Sequence, residues 1–216
     1  MKNPSVLKIA HRGYIKHHPE NSLMAFRAAI NEGFDMIELD LRLCLRNTII
    51  IYHDCHINGI PVESLTYDQV KTNTPSVVTL DEFFKEFVEY EHLKIYFDLK
   101  GKDELATILR KYIINNHILT YNIYIGSFNI NHLSALKGMG VKLGFITCCK
   151  YTIPQYCDII RRVDFICVDK GILDNDIINI CRGLNKKIYV FTCEDIFDKR
   201  YISSFNVDGI VSNIIL

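Results

Sequence analysis

The sequence predicts an α/β fold, a compact TIM (β/α)8 barrel carrying a small β-hairpin and loop insertion after its second strand. Three observations carry that expectation. Short β-branched apolar runs recur along the whole chain, segments of helical periodicity separate them, and Gly33, Gly138 and Gly183 fall where those helices should stop. At 216 residues the chain sits at the compact end for such a barrel and reads as one domain over residues 1–216. A doubly wound open sheet is the alternative that the same alternation allows.

The first strand is read at Val6–Ala10, followed by a helix at Ser22–Glu32 and a second strand at Met36–Leu41. "LRLCLRNTIIIYHD" then extends that strand, turns at Arg46-Asn47 and returns antiparallel to His53-Asp54. Residues 55–79 read as a longer loop with one helical turn. Beyond it the alternation resumes. Strands are expected at Leu93–Leu99, Asn122–Gly126, Lys142–Thr147, Asp164–Val168, Lys187–Thr192 and Asp208–Val211. The matching helices are expected at Leu80–Tyr90, Asp103–Asn115, Asn131–Lys137, Ile153–Arg162, Asn175–Leu184 and Asp195–Ser204.

Composition narrows the function classes. Lys+Arg and Asp+Glu are equal at 25 each, so neither a broad nucleic-acid surface nor a polybasic membrane patch is expected. No apolar run approaches the ~18 residues of a membrane span. The opening "MKNPSVLKIAHRG" lacks a signal-peptide pattern and reads as leading into the first strand. The 8 cysteines form no C-x-x-C pair and read as reduced, buried small hydrophobes in preference to a disulfide frame, which suits a cytoplasmic location.

Strand parity locates the chemistry. In "FDMIELDLRL", Met36, Glu38, Asp40 and Arg42 share one face, and Ile37, Leu39, Leu41 and Leu43 share the other. If the apolar face packs under helices, Glu38 and Asp40 point into the barrel, about 7 Å apart along the strand. "KIYFDLK" repeats the rule, with Tyr96, Asp98 and Lys100 on the inner face. Three carboxylates against one lysine favour a divalent cation, and an all-oxygen set suits Mg²⁺, Ca²⁺ or Mn²⁺. A structural network closed by Arg12, Arg42 and Lys100 is the competing account. His11 and His53 each end an apolar run beside this group and are candidates for acid–base chemistry. "PENS" (Pro19–Ser22) opens the first helix, where Asn21 or Ser22 can cap it, with Glu20 at the top of the barrel.

The ordered set "AHRG", "PENS", "GFDMIELDL" and "IIIYHD" resembles the glycerophosphodiester phosphodiesterase family, itself related to the spider-venom sphingomyelinase D enzymes. "SLTYDQV", "VVTLDEFF", "KIYFDLK" and "VDGIVSN" extend the resemblance over essentially the whole chain. It implies a TIM barrel that uses one divalent cation, with Glu38, Asp40 and Asp98 on the ligand positions. By the same resemblance His11 falls on the general acid, His53 on the general base, Arg12 and Lys100 on phosphate contacts, and Glu20 near the metal shell. The implied reaction cleaves a small glycerophosphodiester to glycerol 3-phosphate and an alcohol. Nucleic acid is not an expected partner, while peripheral lipid contact fits the pattern. A phospholipase D-type activity on lysophospholipids or sphingomyelin and a non-catalytic barrel are the alternatives. The chain departs from the family in four places: Asp98 stands for the usual Glu, Asn213 for a usual Asp, Phe191 for the aromatic of a "W-T" pair, and the segment between His53 and Thr79 is short.

Overall fold

The computed structural model describes residues 6–90 and 92–216. Residues 1–5, the start of the stretch read as leading into the first strand, lie outside the described residues. Every predicted strand is realised. β1 (Leu7–Ala10) and β2 (Met36–Cys44) are followed by a short β3 (Thr48–Ile51), β4 (His56–Ile57), β5 (Ile60–Pro61) and β6 (Val78–Thr79). Then come β7 (Lys94–Leu99), β8 (Ile123–Ser127), β9 (Lys142–Thr147), β10 (Phe165–Asp169), β11 (Lys187–Cys193) and β12 (Gly209–Ser212). β1, β2 and β7 to β12 pair in parallel, in that order, and β12 returns to β1, so the sheet closes. The open-sheet alternative is excluded by that last pairing.

Helices α1 (Leu23–Asn31), α3 (Leu80–Glu86), α4 (Glu104–Asn115), α5 (Ile130–Leu136), α6 (Ile153–Arg161), α7 (Asn175–Gly183) and α8 (Ile196–Ser203) cover the outside. Side chains cap several of them, as where Ser22 accepts the Ala25 N–H at 3.2 Å. Two apolar layers result. Ile37, Leu39 and Leu41 of β2 face outward onto Phe26, Ala29 and Phe83 of the helices. Inside the barrel, Ile9, Met36, Tyr96, Phe165, Tyr189 and Val211 fill the lower half. The inward face of β2 is therefore apolar at Met36 and charged above it, and even its charged residues are buried.

The insertion has its own small core of Cys44, Ile50, Ile57, Val62, Val70 and Val77. β2 and β3 pair antiparallel across the expected turn, where Arg46 and Asn47 take φ of 66° and 60°. β3 ends at Ile51, earlier than expected, although the Tyr52 N–H still donates to Asp40 O at 3.0 Å. The segment after it is more ordered than a loop with one turn. Asn58-Gly59 joins β4 to β5, and Thr66 and Gln69 cap each other's backbone at the start of α2 (Tyr67–Asn73). The cysteines are all free; Cys44, Cys167, Cys181 and Cys193 are buried as expected, whereas Cys55, Cys148 and Cys149 are exposed on loops. Cys55 lies past the end of β3, and Cys148 and Cys149 past the end of β9, where the inward–outward alternation of a strand no longer applies.

The interior fits because glycines on β8, β9 and β12 leave room for its large side chains, Gly209 beside Tyr189 among them. A Cβ on Gly126 would meet the Tyr96 side chain and Ile146, and one on Gly144 would fall on the Phe165 ring. Phe165 in turn packs against Tyr96 and Tyr189, with ring centroids 5.5 Å and 4.7 Å away. A Gly144→Ala substitution therefore overpacks the barrel and should lower stability by roughly 1–3 kcal/mol in urea unfolding. Pairing it with Phe165→Leu should recover part of that loss.

Candidate active site

β2 and β7 lie in parallel register with Asp40 beside Asp98 and Glu38 beside Tyr96. Alternation then aims Glu38, Asp40 and Asp98 into the mouth at the C-terminal end of the strands. Each offers an oxygen, and the three oxygens lie within 4.8 Å of one another. All three residues are buried. Like charges so close and so dry must be compensated, protonated or bridged by a cation.

Compensation comes from two cations. Lys100 Nζ lies 2.5 Å from Asp98 Oδ2 and 3.2 Å from Asp40 Oδ1. Arg12 Nε lies 3.2 Å from Asp40 Oδ2, without a straight hydrogen bond. Arg12 also contributes its backbone: with φ at 57°, its N–H donates to Glu38 Oε2 at 2.8 Å. Gly13 next to it needs its φ of 84° and its missing Cβ, which would fall 2.7 Å from the Ala25 backbone. Arg12 Nη1 donates to both oxygens of Glu20, at 2.9 Å and 2.8 Å. Glu20 therefore touches the arginine and not the cluster. Arg42, offered by parity as a partner for the acids, instead donates to His53 O at 2.8 Å. That removes one of the three cations the structural-network account needs. Asp98 Oδ1 is buried with no hydrogen-bond partner.

The carboxylates respond differently. Burial, with Asp40 and Asp98 adding to it, pushes Glu38 well above the usual carboxylate range. Burial also pushes Asp98 up, to about 6, against the pull of Lys100. Burial acts on Asp40 in the same direction, but Lys100 and Arg12 outweigh it and hold Asp40 below its ordinary value. Lys100 is raised despite its burial, because Asp98 and Asp40 both favour its charge. An all-oxygen donor set with one unsatisfied buried oxygen fits Mg²⁺, Ca²⁺ or Mn²⁺.

The histidines flank this group in one cavity of about 170 Å³, which Arg12, Lys100, Phe128 and Phe191 also line. His11 Nδ1–H donates to Asn213 Oδ1 at 2.8 Å. His53 Nδ1 pairs with Asp54 Oδ1 at 2.8 Å. Burial and the neighbouring Arg12 lower the His11 pKa. Phe128 and Phe191 meet edge to face at 6.1 Å, and Lys100 Nζ sits 5.6 Å from the Phe128 ring centre. A larger cavity of about 520 Å³ opens at the opposite end of the barrel, beside Leu7, Tyr189 and Asp208, away from all these groups.

His11, Arg12, Glu38, His53, Asp98 and Lys100 thus line one cavity, with Asp40 beside them and Glu20 behind Arg12. Sequence reasoning missed three supporting residues. Asn21, read as a capping residue, takes φ of 54° and turns inward, donating from Nδ2 to Asp40 Oδ2 at 2.8 Å and accepting the Asp40 N–H at 3.2 Å. Ser22 alone caps α1. Asp54 was visible only as the second letter of "HD". Asn213 was visible only as a departure from a motif. No periodicity marks any of them.

Residues 11–215 match the model of the glycerophosphoryl diester phosphodiesterase family. A glycerophosphodiester phosphodiesterase of Caldanaerobacter subterraneus subsp. tengcongensis is 25% identical, over 96% of this chain and 93% of its own length. The crystal structure of a glycerophosphodiester phosphodiesterase from Parabacteroides distasonis superposes with a TM-score of 0.86 at 21% identity, over 99% of this chain and 94% of that one. A phosphodiesterase from Oleispira antarctica, solved with its product sn-glycerol-3-phosphate, superposes with a TM-score of 0.80 at 18% identity, over 97% and 93%.

The carboxylate cluster predicts a pH dependence for the protein stripped of divalent ions with EDTA. Asp98 titrates at about 6 when folded, above its ordinary value of about 3.9, so the folded state holds that proton more tightly. Its stabilising effect is complete below the unfolded value and is lost as the pH rises through about 6. Asp98→Asn should make the stability profile less steep between about pH 4 and 6, with Glu38, which burial also raises, supplying the slope that remains. Urea unfolding across that range reads it directly.

Proposed function

The chain belongs to the glycerophosphoryl diester phosphodiesterase family, and from that premise we propose that it hydrolyses glycerophosphodiesters to glycerol 3-phosphate and an alcohol. The observation that carries this reading is the meeting of three buried carboxylate oxygens, one residue among them with an unpartnered oxygen, in a cavity flanked by two histidines. The sn-glycerol-3-phosphate held by the Oleispira relative supports the product. Glu38, Asp40 and Asp98 would hold one divalent cation. Bound there, it would supply Lewis-acid stabilisation of charge on the phosphoryl oxygens.

The chain's own groups do the remaining work. Arg12 and Lys100 bring positive charge to the wall of the cavity and orient the phosphate. An ammonium has three donors, so Lys100 retains one beyond its contacts with Asp98 and Asp40. His53, its Nδ1 anchored on Asp54, takes a proton from the nucleophile, which is water or the neighbouring glycerol hydroxyl that would form a transient cyclic phosphate. His11 gives a proton to the leaving alkoxide, which is too basic to depart unaided at neutral pH. Phe128 and Phe191 give the remaining side an apolar wall.

A second reading keeps the same chemistry and changes the substrate. The two phenylalanines make an apolar lip, with Phe128 45% exposed, which suits a lysophospholipid and a phospholipase D-type activity. Glycerophosphocholine and lysophosphatidylcholine assayed side by side separate the two.

Purified protein should cleave glycerophosphocholine, lose that activity with EDTA and regain it with Mg²⁺, Ca²⁺ or Mn²⁺. His11→Ala and His53→Ala should each lower kcat by about 10²–10⁴-fold while unfolding at nearly the wild-type temperature. Metal-independent turnover, or full activity in either variant, would overturn the reading.

A further inference from the structure

The two histidines hold their Nδ1 atoms against chemically unlike partners. His53 faces the Asp54 carboxylate, and His11 faces a side-chain amide, that of Asn213. An amide oxygen only accepts, so His11 carries a proton on Nδ1 and leaves Nε2 for the cavity. The contact is built into the seam that closes the barrel. β1 and β12 pair from Leu7 with Gly209 to Ala10 with Ser212, and the His11 N–H continues the ladder onto Ser212 O at 3.0 Å. Asn213 is fixed from the other side, its N–H donating to Cys193 O at 2.9 Å at the end of β11. Ser212 and His11 are thus tied by backbone, and His11 and Asn213 by side chain, at one corner.

The geometry points to Asn213 as the positioning residue of His11, a neutral clamp that holds the imidazole as its Nδ1–H form without adding a charge that would stabilise the imidazolium. This rests on the proposed role of His11 as the acid. Protonated, the ring donates from Nδ1 to Asn213 and delivers its Nε2 proton to the departing oxygen, which leaves the neutral ring with Nδ1–H still in place. A carboxylate at position 213 would make the imidazolium more stable and so a weaker acid. The other charges that act on the ring are Arg12, which opposes its protonation, and Asp40 and Glu20, which favour it. Glu38, Asp98, Lys100 and His53 share the cavity. The amide therefore trades a broader pH range for a stronger proton donor.

The test compares Asn213→Asp and Asn213→Ala in the full chain by ¹⁵N NMR of His11 and by the pH dependence of kcat/KM. Asn213→Asp keeps an acceptor in place. It should retain the Nδ1–H form, raise the His11 pKa by about one unit or more, and move the alkaline limb of kcat/KM up by the same amount. Asn213→Ala should lose the single tautomer and lower kcat by roughly 10²-fold, with KM within about twofold. If His11 keeps its tautomer and titration in both variants, or both lose activity alike with an unmoved limb, the inference is wrong. The NMR arm gives its answer even if the wild type cleaves no phosphodiester, so a failed activity assay would overturn the functional reading and leave this one measured separately.

Discussion

Burying three carboxylates side by side is the constraint around which this barrel is arranged. Glu38, Asp40 and Asp98 share a few ångströms of dry space, and isolated charges there would cost several kcal/mol each. The chain meets that cost with parts drawn from distant positions. Lys100 comes two residues after Asp98 on the same strand face, so parity alone delivers it. Arg12 requires more: a left-handed residue, a glycine beside it pressed against Ala25, and an Nη1 shared between both oxygens of Glu20. Asn21 adopts a second positive φ to reach Asp40 from both of its amide atoms. Such backbone settings persist only where the surroundings over-determine them, and here they cluster within ten residues of sequence around one carboxylate pair.

The two sides of the mouth are anchored by different parts of the fold. His11 belongs to the closing seam, so its placement depends on the β1 and β12 register being complete. His53 belongs to the insertion, which packs on its own apolar cluster under β3 and α2. Arg42 joins the two regimes. It rises from β2 on the same face as the acids, yet spends its guanidinium on the His53 carbonyl. A residue that parity groups with the carboxylates thereby fixes the backbone of the opposing histidine. Local opening of the insertion would move His53 without disturbing the carboxylates, because their partners come from β1, β7 and the turn before α1.

What was legible in the sequence follows from which interactions repeat. The eight barrel strands could be read because every one needs an apolar outer face, and the same alternation pointed Glu38, Asp40, Asp98 and Lys100 inward. Strand ends shifted by no more than a few residues. The insertion was harder, since β4 and β5 have two residues each and rest on an Asn-Gly turn instead of a pattern. The capping reading of Asn21 failed for a related reason. An asparagine before a helix serves as a cap by local rules, whereas its actual partner, Asp40, is 19 residues away and reachable only once β2 is in place. Asn213 is further still, 202 residues from His11, and only barrel closure brings them together.

The shorter side chain at position 98 is accommodated by register. Asp98 stands directly beside Asp40 across the β2 and β7 ladder, so its carboxylate meets the others without the methylene that a glutamate would add. Its two oxygens then divide their duties. Oδ2 is engaged by Lys100 at 2.5 Å, and Oδ1 is buried and bare. Glu38, Asp40 and Asp98 would hold a cation there, with one Asp98 oxygen free of protein partners. Lys100 lies between Asp98, Asp40 and the Phe128 ring, with one ammonium donor beyond its two carboxylate contacts. The short side chain of Asp98 therefore ties the position of Lys100 to the carboxylates themselves. Replacing Asp98 by Glu would lengthen that arm into the contact that Lys100 now occupies.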